Sequence, residues 1–300
     1  MLDSFFDKLS RAVVQTVAYS DIFDYPLTAR EIHRYLAGVN ASFEEVVQAL
    51  EEGFFTRTGD YFTLPGREEI CSIRIQREAR SRELLPHAIK YGRILGALPY
   101  IRMVALTGSL AVSNISKAAD FDYMLVTAPG RVWTARAFSL LFNRFVHLFG
   151  HTICPNLIVS ETALEWPLHD LYSARELCQM IPITGMGVYQ RLMKANEWAK
   201  EFLPNVDITK TSEVSETSEV WKVLELPLRG KMGDRFEQWE MDRKIARFSK
   251  QEGFGEETVF NTEVCQGNFH HHRKWTQEVF EEKLSALEKE VTVTFKVTVT

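Results

Sequence analysis

Two carboxylates one residue apart, Asp120 and Asp122, stand at the head of an apolar run that continues to Val126. In a strand, residues i and i+2 point to the same face, so the pattern predicts side-by-side acids with Phe121 and Tyr123 turned toward a core. Two anions held that close repel unless a cation sits between them. Hard oxygen ligands suit a divalent ion such as magnesium or manganese. Upstream, the apolar run Ile101 to Leu106 breaks at Thr107-Gly108-Ser109. Such a small turn can bring backbone N–H groups and a hydroxyl against a phosphate. The plainer alternatives are two exposed acids on an edge strand, and a serine that only caps the helix after it.

The elements around this stretch read, from Ile101 to Glu161, as strand, turn-helix, strand, helix, strand. Pro129-Gly130 closes the second strand, Arg131 to Phe149 is an amphipathic helix, and Cys154 to Val159 is a short apolar strand. That alternation predicts a small mixed α/β sheet with helices against it. Residues 10–66 read as a winged helix. Thr28-Ala29-Arg30-Glu31 and Ser42-Phe43-Glu44-Glu45 are capping boxes opening its second and third helices, and FFTRTGDYFTL is a hairpin turning at Gly59. The third helix carries Glu44, Glu45, Glu51 and Glu52 and no lysine or arginine, so it repels phosphates and disfavours duplex DNA as a partner. Residues 67–97 form a basic helical pattern interrupted at Pro86, either a solvated connector with glutamate partners or a wall for a polyanion. Beyond Glu161 the chain reads as mainly helical, with Pro182 ending one helix. A Ser/Thr/Glu-rich stretch at 206–220 reads as a mobile linker. The C-terminal VTVTFKVTVT alternates like a strand. The expected division is 1–66, 67–97, 98–165 and 166–300.

Composition narrows the class. The chain has 300 residues, 45% of them hydrophobic, and a net charge of −5. Those values describe an ordinary globular protein with no global basic field for nucleic acid. Cys71, Cys154, Cys178 and Cys265 form no C-x-x-C pair, which fits a reducing cytoplasm better than a zinc or disulfide scaffold. No signal-peptide pattern and no membrane-length apolar run is present.

The Gly108-Ser109 turn followed by Asp120-Phe121-Asp122 on the next strand resembles the signature of the DNA polymerase beta-like nucleotidyltransferase superfamily. The resemblance covers Ile101 to Glu161. The order of winged helix, minimal transferase domain and helices is also similar to that of bacterial and archaeal nucleotidyltransferase-like proteins. It implies that Gly108 and Ser109 hold the phosphates of a nucleoside triphosphate, while Asp120 and Asp122 bind two Mg2+ ions. An acceptor hydroxyl would attack the α-phosphorus and pyrophosphate would leave. Three departures stand out: Ala119 where many members have serine, Val112-Ser113-Asn114 where many have a glycine, and no clear third carboxylate. Asn156 on the third strand is placed to ligate a metal but cannot act as a base. Glu161, at that strand's end, is the nearest acid and the candidate third catalytic residue. Arg131 and Arg136 follow the Asp-x-Asp strand closely enough to be candidate triphosphate contacts.

Two histidine groups carry less chemistry. His270-His271-His272 cannot all face one ion on a helix, and His147 and His151, four apart, have no third ligand in view. The resulting expectation is a magnesium-dependent nucleotidyltransferase in the cytoplasm. Its acceptor would be a small molecule, protein or RNA bearing a hydroxyl, no membrane is involved, and a homo-oligomer is compatible with the sequence. The rival reading is a non-catalytic nucleotide sensor that binds a partner through its winged helix.

Overall fold

The computed structural model describes residues 2–116, 120–207, 225, 226, 228 and 230–298, with side chains described from 8 to 287 within them. The N-terminal unit comprises α1 (Leu2–Asp21), β1 (Leu27–Thr28), α2 (Ala29–Arg34), α3 (Phe43–Glu52), β2 (Thr56–Thr58) and β3 (Tyr61–Thr63). Both capping boxes form: the hydroxyls of Thr28 and Ser42 accept the N–H of Glu31 and Glu45, whose carboxylates accept the N–H of the capping residues. The three short strands make an antiparallel sheet in the order β1-β3-β2. Its core joins Val13, Val17, Ile32, Leu36, Val46 and Leu50 to Leu287, with Phe280 and Leu284 packed alongside. The N-terminal core is thus closed by side chains from near the other end of the chain.

Next comes α4 (Ile70–Ala97), which runs unbroken through Pro86 instead of stopping there. Its arginines turn back onto the N-terminal unit. Arg74 is buried, bonded to Glu31, Glu78 and the carbonyl of Pro26, and its guanidinium lies 3.8 Å from the centre of the Tyr25 ring. The last turns of α4 press on the large sheet at two glycines. A β-carbon at Gly92 would meet Ile183 at 2.4 Å, and one at Gly96 would meet Thr184 at 2.4 Å.

The large sheet has six strands in the order β7-β4-β5-β6-β9-β8. The chain enters it through β4 (Ile101–Leu106), α5 (Gly108–Ala111), β5 (Phe121–Thr127), α6 (Val132–Val146), a 3-10 turn (His147–Phe149) and β6 (Ile153–Ser160). Strand β5 lies antiparallel to β4 and parallel to β6. The rest comprises α7 (Leu171–Gln179), β7 (Ile181–Thr184), α8 (Met186–Ala195), α9 (Ala199–Phe202), α10 (Lys231–Phe248), β8 (Thr258–Phe260), β9 (Val264–Gly267) and α11 (His272–Thr298). Phe121, Tyr123 and Leu125 face the α4 and α6 side, while Met124 and Val126 face the α7 and α8 side. Burial on both faces explains the near-continuous apolar run of β5.

Three further expectations change. Pro182 does not merely end a helix; it lies in β7, an edge strand, opposite Ala105 at a shift of register, and edges and bulges are where a sheet tolerates proline. The region read as mainly helical contributes the β8-β9 hairpin, whose strands are only three and four residues long. The C-terminal alternation continues α11 through Thr298. Once a helix is nucleated each added residue gains a hydrogen bond, and valine or threonine costs only a few tenths of a kcal/mol there. Residues 208–220 of the expected linker lie outside the described residues.

All four cysteines are free thiols. Among the described residues no helix is long and apolar enough to cross a membrane. The first turn of α6, which no side chain of its own caps, is capped by Glu237 from α10. That carboxylate accepts the N–H groups of Trp133 and Thr134 at 2.8 and 2.7 Å and the Thr134 hydroxyl at 2.6 Å. Replacing Glu237 by alanine leaves these buried donors without a partner. The expected loss is roughly 2–4 kcal/mol, read as a lower urea midpoint by circular dichroism.

Candidate active site

The turn after β4 and the start of β5 are built against each other. The N–H of Thr107 donates to the carbonyl of Asp122 at 2.9 Å. Gly108 then adopts φ +65°, and a β-carbon there would stand 2.5 Å from Oδ2 of Asp122. Only glycine brings its backbone this close to the carboxylate while holding that left-handed conformation. Ser109 lies inside the single turn α5 and does not cap it; Thr107 occupies the N-cap position. The Thr107 hydroxyl is buried with no hydrogen-bond partner among the described residues.

The loop that follows is braced by the N-terminal unit. The Tyr25 hydroxyl donates to the carbonyl of Val112 at 2.7 Å, and Arg77 reaches the Asn114 side chain at 3.1 Å. Asn114 donates in turn to the carbonyl of Phe23, and the hydroxyl of Ser81 on α4 accepts the N–H of Ile115. One wall of the site therefore depends on contacts between segments far apart in sequence.

Asp120 stands exposed just before β5 and Asp122 is its second residue. Burial pushes Asp122 up to about 7, with the charges of Glu176 and Asp120 adding to the rise and a hydrogen bond from Cys154 opposing it. Burial alone lifts Glu176 to about 7. Burial, with the charge of Asp122 second, pushes the Cys154 thiol up to about 12. Among the described residues no cation pairs with Asp120 or Asp122. Glu176 and Asp120 thus make Asp122 harder to ionise, as expected where no positive charge sits between them.

Asn156 reaches this cluster. The ladder between β5 and β6 pairs Tyr123 with Pro155 and Met124 with Leu157, so Asn156 is the extra residue of a bulge. Its amide lies 3.5 Å from Oδ1 of Asp122. Glu161 does not reach it. This residue follows β6 at the other end, where its N–H donates to the carbonyl of Thr127, and its carboxylate pairs with Arg191 and, at 3.8 Å, Arg102. Five residues of strand separate Asp122 from Thr127, roughly 16 Å.

Neither candidate arginine joins the acids. Arg131 also sits past the far end of β5, bonded to Asp234 at 2.8 Å and stacked over Tyr100. Arg136 lies on the other side of the sheet, its guanidinium 5.0 Å from the Phe248 ring centre. Arg131 precedes α6 and is left at the end of β5 remote from the acids, whereas Arg136, on α6, faces the α10 side of the sheet. The residue missed is Glu176 on α7. Its signal is a charged pair, Arg175-Glu176, set between Ala174 and Leu177 in the buried stripe of an amphipathic helix. His270 and His272 pack ring against ring, as do His151 and His87. No group of three or more potential metal ligands among histidine, cysteine, aspartate and glutamate occurs in the described residues.

Asp122 has a folded-state pKa above its unfolded value of about 4. Its ionised form therefore costs stability increasingly as pH rises from there to about 7, and fully above that. Asp122→Asn removes the charge. The variant is expected to be more stable than the metal-free parent at pH 8 by on the order of 2–4 kcal/mol, a gain that vanishes near pH 4. Thermal unfolding at the two pH values, with chelator present, measures it. No protein-family profile, curated protein sequence or solved structure matches this chain at a significant level.

Proposed function

We propose that this chain is a magnesium-dependent nucleotidyltransferase whose site lies where β4 ends and β5 begins. The observation that carries the reading is the abutment of the Gly108 turn on the Asp122 carboxylate, which would put phosphate donors and metal ligands within one ion's reach of each other. The donor set fits the ion: Asp120 and Asp122 offer hard carboxylate oxygens that lack a cation among the described residues, and the Asn156 amide, whose NH2 faces Oδ1 of Asp122, would add an oxygen once turned. When bound, the metal would neutralise charge on the attacking and departing oxygens of an in-line displacement.

The remaining tasks fall to the chain's own groups. Gly108 admits the triphosphate close to the backbone, and Ser109 offers its N–H and hydroxyl to the phosphates. Asp120 and Asp122 hold the metal, with Asn156 beside Asp122. Glu176 takes the part expected of Glu161: a carboxylate near pKa 7 accepts a proton from the acceptor hydroxyl at neutral pH. The acceptor is a small molecule, protein or RNA. We read the N-terminal unit as a winged helix, on the strength of its element order and its β1-β3-β2 sheet. Exposed Glu44, Glu51 and Glu52 on α3 argue against a duplex DNA partner.

One observation favours a second reading. The residue beside Asp122 on β6 is an amide, not a third carboxylate, and an amide accepts no proton. In that reading the site binds metal and nucleotide without turnover, and the braced loop at 112–115 passes its state to the N-terminal unit.

Metal must displace protons from Asp122, so Mn2+ affinity is expected to rise about tenfold per pH unit below pH 7 and to level off above it. Titration calorimetry across pH 5.5–8.5 checks this, and Asp120→Asn with Asp122→Asn should abolish both metal and metal-dependent triphosphate binding. Binding that persists in the double variant places the site elsewhere. Incubation with labelled triphosphates, magnesium and candidate acceptors separates the two readings. For the transferase, Glu176→Gln should lower kcat by about 100-fold or more with nucleotide affinity unchanged. Binding without any transfer selects the sensor.

A further inference from the structure

The face of the sheet opposite Asp122 carries a second feature that the nucleotide site does not use. Along α6 and the turn after it, Leu141, Phe145, Leu148 and Phe149 are 62%, 54%, 78% and 59% exposed. Leu141, Phe145 and Leu148 recur at the spacing of one helical face. Trp239 on α10 is 55% exposed. Between α6 and α10 lies a groove of about 270 Å3 whose apolar lining includes Leu140, Leu141, Phe236 and Trp239. Water-facing apolar groups of this size, gathered along one groove, mark an interaction surface.

The charges around the groove point to its occupant. Arg144, Arg243 and Lys244 line it against a single acid, Glu240. Glu240 is buried and held by Arg243 at 2.6 Å, with Lys244 at 3.9 Å. Arg144 is exposed, and no acid pairs with it among the described residues. The rim is therefore net positive on a chain whose net charge is −5. A groove between two packed helices is the shape that accepts a third, with anchors at i, i+3, i+4 and i+7.

We propose that the α6–α10 groove binds an amphipathic helix of a partner protein, one whose apolar stripe is flanked by acidic side chains. A second copy of this chain is a poorer occupant. Among the described residues its acidic helices are already engaged: α3 buries Val46, Ala49 and Leu50 in the N-terminal core, and α11 packs Phe280, Leu284 and Leu287 against the same core. A lipid surface would press on the Leu148–Phe149 tip and leave the concave part of the groove unfilled.

The test uses the full chain and a fluorescein-labelled synthetic helix of about 18 residues, with Leu and Phe on one face and Glu on both flanks. A control peptide replaces every Glu by Lys. The acidic peptide is expected to bind with Kd on the order of 10 μM, weakening several-fold between about 50 and about 300 mM salt. The Lys peptide should bind at least tenfold more weakly. Arg144→Glu, an exposed change, should abolish that preference, and Trp239→Ala should weaken acidic-peptide binding while the circular dichroism spectrum stays unchanged. Equal affinity for the two peptides, or no binding at about 1 mM, overturns the proposal. So does dimerisation by light scattering that Trp239→Ala abolishes, which would assign the groove to a second copy. Flotation with phosphatidylserine vesicles that is lost in Phe145→Asp, without saturable peptide binding, would assign it to a membrane and equally overturn the proposal.

Discussion

Burial of β5 on both faces is the constraint on which the molecule depends. Tyr123 and Leu125 supply one core and Met124 and Val126 the other, so helices must cover both sides of the strand. The same geometry fixes where ionisable groups can stand. Asp122 can emerge only at the strand's first turn toward solvent, beside Gly108, with α7 above it. An acid in that position is desolvated, and two neighbouring carboxylates make it harder to ionise. The fold thus holds Asp122 where its charge is costly, a cost that protonation or a cation relieves.

Contacts distant in sequence complete the site. Strand β6 brings Asn156 to Asp122 because a bulge turns one extra residue out of the ladder. Helix α7 brings Glu176 from a segment with no likeness to the Asp-x-Asp stretch. Tyr25, Arg77 and Phe23 hold the loop after Ser109 from the N-terminal side. The N-terminal unit is therefore a wall of the site as well as a neighbour, and α11 in turn supports that unit through Leu287. Lys283 on the same helix forms an ion pair with buried Asp21.

The two faces of the large sheet serve different ends. One gathers Asp120, Asp122 and Glu176 around the Gly108 turn. On the other, α6 and α10 are tied by Glu237, which caps α6, and their outer sides leave apolar and basic groups toward solvent. Because the strands between are packed on both sides, the two surfaces share a rigid layer without sharing residues.

Much of this was legible in the sequence where the physics is local. Capping boxes at Thr28 and Ser42 depend on side chains three residues apart, and both formed as read. The break at Gly108 and the strand carrying Asp122 follow from glycine's freedom and from apolar continuity, and the mixed α/β class from the alternation of strand and helix. What only the tertiary structure decided involves partners far along the chain. Pro182 reads as a helix stop until a sheet edge is there to receive it, and strands as short as β8 and β9 carry too few residues for a period to show. Glu161 is as near to the Asp-x-Asp strand in sequence as a third acid should be, yet a parallel strand carries it to the opposite end of the sheet. Arg131 is left at that same end, just before α6, and Arg136 on α6 faces the opposite side of the sheet. Sequence proximity fixes which element a side chain belongs to; the direction in which that element runs fixes where its charge ends up, and direction is set by packing.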